Sequence, residues 1–105
     1  MKTDDLKFIE NRMKELSIGN YHIAPMTIRF EAGQNKESIK AYNEFIYLTK
    51  KTSAADVIIQ SDNNILHSPQ GENFEQLPEE FQGYISIESS SQDQHTLEFI
   101  RIIVE

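Results

Sequence analysis

HTLEFIRIIVE, residues 95–105, reads as a β-strand that is apolar on both sides. Side chains alternate across a strand, so Leu97, Phe99 and Ile103 point one way while Ile100, Ile102 and Val104 point the other. A strand with one face in water carries polar residues on that face. This one needs cover on two sides, and the source of the second cover decides the architecture.

The stretch AYNEFIYLT, 41–49, has the same character, with Phe45 and Tyr47 opposite Ile46 and Leu48. The remaining strand-like runs bury one face. In YHIAPMTIRFE, 21–31, Ala24, Met26, Ile28 and Phe30 share a side, and Pro25, which lacks a backbone donor, predicts an edge strand or a bulge. DVIIQ, 56–60, and ILH, 65–67, flank Ser61-Asp62-Asn63-Asn64, the turn-forming residues of a hairpin. YISIES, 84–89, joins the terminal run through SSQDQ, which predicts a second hairpin. Residues 20–105 therefore read as the β domain of a mainly β protein: a small antiparallel β-sandwich or open barrel of about six strands with one N-terminal α-helix.

Residues 1–17 supply that helix. Leu6, Ile9, Met13 and Leu16 recur at spacings of three, four and three, which draws one apolar stripe along a helical surface. Thr3 reads as the cap, Asp4 and Asp5 oppose the helix dipole, and Gly19 marks the end. The stripe must lie on something. A second source of cover is SPQGENFEQLPEEFQG, 68–83, where Phe74, Leu77 and Phe81 read as anchors, Pro78 as the start of a helical turn, and Glu72, Glu75, Glu79 and Glu80 as a solvated face.

A chain of 105 residues has room for one core, and 38% hydrophobic with 26% charged residues is the composition of a folded domain. Cysteine is absent, which removes disulfides, thiolate nucleophiles and Cys-based zinc sites. MKTDDLKF places acids where a signal peptide carries bases and an apolar run, and no segment is long and apolar enough to span a bilayer. The expectation is a soluble protein, cytoplasmic at synthesis and without a membrane partner. Charge is unevenly distributed. Residues 1–51 hold nine Lys or Arg against seven Asp or Glu; residues 52–105 hold Arg101 against ten acids. Lys36, Lys40 and Lys50-Lys51 are the one candidate basic patch, so no nucleic-acid partner is expected.

Catalytic templates fail. The glycines stand apart at 19, 33, 71 and 83, with no nucleophile elbow, phosphate loop or HExxH. His22, His67 and His95 sit near strand ends, where one strand arrangement gathers them at a single rim, but no local ligand pair supports zinc. Asp62, Asn64 and Glu72 do not fit a calcium loop, and His67-Ser68 point to opposite faces of a strand. No catalytic residue, metal ligand or cofactor is assigned.

The resulting expectation is a non-enzymatic structural or interaction module. It assembles with itself or with a larger protein scaffold, for example as an accessory subunit of a phage virion or secretion particle. Leaving Ile100, Ile102 and Val104 in water forgoes roughly 1.5–3 kcal/mol each, so they need cover, from the chain's own helix and 68–83 segment or from a partner. The partner-binding residues are Leu6, Ile9, Met13 and Leu16 if the helix is exchanged, or Ile100, Ile102 and Val104 if the strand is. The alternative is a carbohydrate- or small-ligand-binding sandwich that uses Tyr21, Tyr42, Tyr47 or Tyr84. A small enzyme or metalloprotein is the second alternative.

Overall fold

The computed structural model describes residues 3–52, 54–71 and 79–105. Helix α1 (Thr3–Glu15) precedes strands β1 (Tyr21–Phe30), β2 (Gly33–Lys51), β3 (Asp56–Gln60), β4 (Ile65–Ser68), β5 (Phe81–Ser91) and β6 (His95–Val104). The strands form one antiparallel sheet in the order β1-β6-β2-β5-β3-β4.

The registers disclose a simple design. Tyr21 pairs with Val104 and Phe30 with His95; Gly33 pairs with Ser91 and Ala41 with Gly83; Ile46 pairs with Phe81; Val57 pairs with Ser68 and Gln60 with Ile65. These pairs nest inside one another, so the β body is a single long hairpin whose tip is Ser61–Asn64. A second set of pairs closes it. Glu44 to Lys51 bond the other edge of β6, from Ile103 to Leu97, and Asp56 to Gln60 bond β5 from Ser90 to Ser86. The ribbon thus winds back onto itself.

The tip is built as its residues predict. Ser61 donates its backbone N–H to the carbonyl of Asn64 at 2.8 Å, and Ile65 donates to the Asn64 side-chain oxygen at 2.9 Å. The second expected hairpin is corrected: β5 and β6 do not pair, because β2 lies between them. Residues 91–95 instead turn the same corner as residues 30–33, so both strands of the ribbon bend together. Two further boundaries differ from expectation. β5 begins at Phe81, so this anchor is a buried strand residue, while Phe74, Leu77, Pro78, Glu72 and Glu75 lie outside the described residues. β2 begins at Gly33, well before residue 41, because the inward positions Asn35 and Glu37 overhang the rim and carry no apolar signature.

Alternation sorts the core into two clusters. Phe30, Ile46, Leu48, Val57, Ile59, Phe81, Ile85, Ile87, Leu97 and Phe99 fill the interior of the wound ribbon. On the outer side of β1, β6 and the end of β2, Phe45, Tyr47, Ile100 and Ile102 pack with Ile9 and Met13 of α1. The helix supplies the second cover that the terminal strand requires. Its end is fixed by Ser17, at φ 57°, with Ser17 N–H donating to the Lys14 carbonyl and Ile18 N–H to that of Met13. This is a Schellman cap, with Ile18 folding back towards Met13, so the left-handed residue is Ser17 and not the expected Gly19.

Pro25 lies on β1, which is the sheet edge its missing donor predicts. A one-residue bulge between Leu48 and Lys50 shifts the phase of β2 and turns Lys51 inward. There the buried ammonium donates to the carbonyls of Ala55 at 2.9 Å, Pro69 at 2.8 Å and Ser68 at 3.4 Å. The candidate basic patch is thereby dispersed: Lys51 is internal, Lys36 faces Glu88 at 3.4 Å and Lys50 faces Glu98 at 3.7 Å.

Candidate functional site

The residues expected to meet a partner divide into two groups. Ile9, Met13 and Ile102 are sealed in the chain's own core, and Ile100 is buried with them. Leu6 and Leu16 remain exposed on the flanks of α1, joined there by Phe8, and Val104 is half-buried. The covering of Ile100 and Ile102 by α1 removes the energetic demand for an outside chain at that strand.

A polar cluster holds α1 down. Glu80 accepts from Arg12 Nε at 2.9 Å and Nη2 at 3.1 Å, and from the Tyr47 hydroxyl at 2.6 Å. Phe8 meets the Tyr47 ring edge-on with centroids 6.0 Å apart. Burial opposes ionisation of Glu80, but the Arg12 fork, the Tyr47 hydroxyl and the Arg12 charge outweigh it, so its carboxyl lies below the ordinary glutamate range. Burial foremost, and then the bond to Glu80, push the Tyr47 hydroxyl up. The bonds to Glu80 and Glu15 hold Arg12 charged. Asn64 from the ribbon tip completes the cluster by donating to Glu79 at 2.7 Å. Glu79 and Glu80 are therefore tethers, not the freely solvated face the sequence suggests.

The histidines do not converge. His22 meets Glu105 at 2.6 Å at one end of the β1–β6 pair, His95 lies at the other end, and His67 meets Asp56 at 3.1 Å on the β3–β4 hairpin. Among the described residues, no group of three His, Cys, Asp or Glu is placed to hold a metal ion. The structure does join one pair that sequence reasoning missed. His95 Nδ1–H donates to the Asp93 carbonyl at 3.1 Å, and Nε2 shares a hydrogen bond with the Ser89 hydroxyl at 2.6 Å. Both side chains are buried, and the imidazole stacks on Phe30 with centroids 5.4 Å apart. Their signal was parity: Ser89 continues the inward series Ile85, Ile87, and His95 begins the series Leu97, Phe99. The pair caps the ribbon's interior at the 91–95 corner.

One sheet surface carries no helix among the described residues. The outward residues of β2, β5, β3 and β4 fall in cross-strand rows: Gln34, Ser90 and Asp56; Lys36, Glu88, Ile58 and His67; Ser38, Ser86, Gln60 and Ile65; Lys40 and Tyr84. A groove of about 540 Å³ runs over the first two rows. At the opposite end stand Tyr42, 75% exposed, and Tyr84, 47% exposed. Tyr21 and Tyr47, by contrast, belong to the cluster beneath α1.

No helix is long and apolar enough among the described residues to cross a membrane. No protein-family model matches the chain, and no curated protein sequence is similar to it. Solved structures that match the chain include the following two. One is the Schizosaccharomyces pombe Cnp3 cupin domain, with TM-score 0.53 and 12% identity over 79% of this chain and 56% of that one. The other is a de novo designed double-stranded β-helix solved by solution NMR, with TM-score 0.36 and 14% identity over 78% of this chain and 99% of that one. The chain spans little more than half the length of the Cnp3 domain structure. At such identity the likeness to the cupin domain is one of fold alone, a mainly β architecture of six antiparallel strands.

Proposed function

We propose that this protein is a non-enzymatic interaction module that assembles with copies of itself or with a larger protein scaffold through the exposed flanks of α1. The observation that carries the reading is the placement of exposed hydrocarbon. Of the six large hydrophobic side chains left exposed among the described residues, Leu6, Phe8 and Leu16 lie on or just past this one short helix. A tightly tethered helix with apolar flanks is a preformed ridge, and burying it against another chain costs little conformational entropy. The interior of the wound ribbon is filled with hydrocarbon side chains, which suits a structural role better than a reaction chamber.

Sedimentation equilibrium over a wide concentration range tests self-assembly. The expected result is a species larger than 12.2 kDa that the Leu6→Ser, Leu16→Ser double variant returns to the monomer. A monomer at every concentration overturns assembly with itself.

A further inference from the structure

The helix-free sheet surface has a character of its own. Tyr84 stands directly across from Lys40, and Tyr42 follows two residues further along β2, just past Ala41, where the pairing of β2 with β5 shifts register. Among the described residues, neither hydroxyl has a hydrogen-bond partner within the chain, and neither ring is part of the core. Gly83 of β5, at φ 78°, pairs with Ala41 at the last position before that register shift. A Cβ there would stand 3.7 Å from the Asp62 carboxylate and 4.0 Å from the Tyr42 ring, so the glycine leaves a notch beside the ring with a carboxylate on its far wall.

Polar side chains that donate and accept continue from this point: Gln60, Ser86 and Ser38 in the next row, then Ser90 and Gln34 beyond. Lys36 on this surface lies 3.4 Å from Glu88, in a chain whose net charge is −7. A polyanion finds no basic field here. What the surface offers is two exposed aromatic planes, a bare backbone notch and rows of neutral hydrogen-bonding groups. Pyranose rings present the complement, with apolar C–H faces for the tyrosines and hydroxyls for the amides and serines.

We propose that the outer surface of β2, β5, β3 and β4 binds a neutral oligosaccharide, with Tyr42 and Tyr84 as its stacking platforms. The surface is separate from α1, so this inference stands whether or not the chain associates through the helix. The test is an amide NMR titration of the full chain with cellohexaose, xylohexaose, mannohexaose and chitohexaose at millimolar concentration. At least one probe shifts amides confined to residues 36–42, 60–65 and 82–88. Tyr42→Ala and Tyr84→Ala each weaken that binding about tenfold with unchanged melting temperature, as expected for exposed rings. Tyr47→Phe, beneath the helix, leaves the affinity unchanged. The proposal is overturned if none of the four probes moves those amides, or if binding persists undiminished in the Tyr42→Ala, Tyr84→Ala double variant.

Discussion

Glu80 ties three parts of the chain together, and its protonation state sets how firmly α1 is held. Its folded-state pKa lies below the ordinary value of 4.5. The folded protein therefore binds this proton less tightly than the unfolded chain. The stability it contributes is complete above that ordinary value and is lost as pH falls through the folded-state value. Glu80→Gln should cost about 1–3 kcal/mol at neutral pH, since charge-assisted bonds to Arg12 become neutral ones. Thermal melts from pH 7 to 3 should show the wild type losing its advantage over the variant below about pH 4.5; a gap that stays constant with pH would contradict this role. Lys51 is the other decisive side chain. Lys51→Met should cost roughly 2–4 kcal/mol by denaturant titration, because it strands buried carbonyls. Neither role was legible in the sequence. Glu80 sits in a run of acids that resembles a solvated face, and Lys51 turns inward only because a bulge shifts the phase by one residue.

At the scale of elements, α1 and the segment that ends it were legible, but the capping residue was not. The spacing of Leu6, Ile9, Met13 and Leu16 announces an apolar stripe, and the buried pair Ile9 and Met13 forms its centre. Ile9→Ala should destabilise the fold by about 2–5 kcal/mol, since the void opens against Ile102 and its neighbours with no room to collapse. The cap is set by a tertiary demand: Ile18 must reach back to Met13, which forces Ser17 into a conformation that glycine adopts more readily. Ser17→Gly should therefore raise stability by on the order of 0.5–1 kcal/mol in equilibrium unfolding, the relieved strain exceeding the added unfolded-state entropy. Strands that bury a full face, such as β3 and β6, were readable from alternation. The first half of β2 was not, because its outward side is polar and its inward side runs off the edge of the core.

For the whole molecule, six antiparallel strands and one helix followed from the sequence, but the winding did not. Periodicity says which face is apolar, and it is silent about which strands become neighbours. The expected hairpin across 91–95 failed for this reason, since a sharp polar turn looks the same whether its flanking strands pair or merely bend. Pairings such as Tyr21 with Val104 span nearly the whole sequence, and high sequence separation slows folding. Stopped-flow refolding should give time constants of milliseconds to seconds; a microsecond phase carrying the full amplitude would exclude ribbon closure as the limiting step. The nesting also bears on synthesis. β6 lies inside the sheet, between β1 and β2, yet it is the last of these six strands to be synthesised. Until residues 95–104 emerge, Met26 and Ile28 of β1 and Ile46 and Leu48 of β2 lack the strand that joins them, so the nascent β body must wait, sticky and open, for β6.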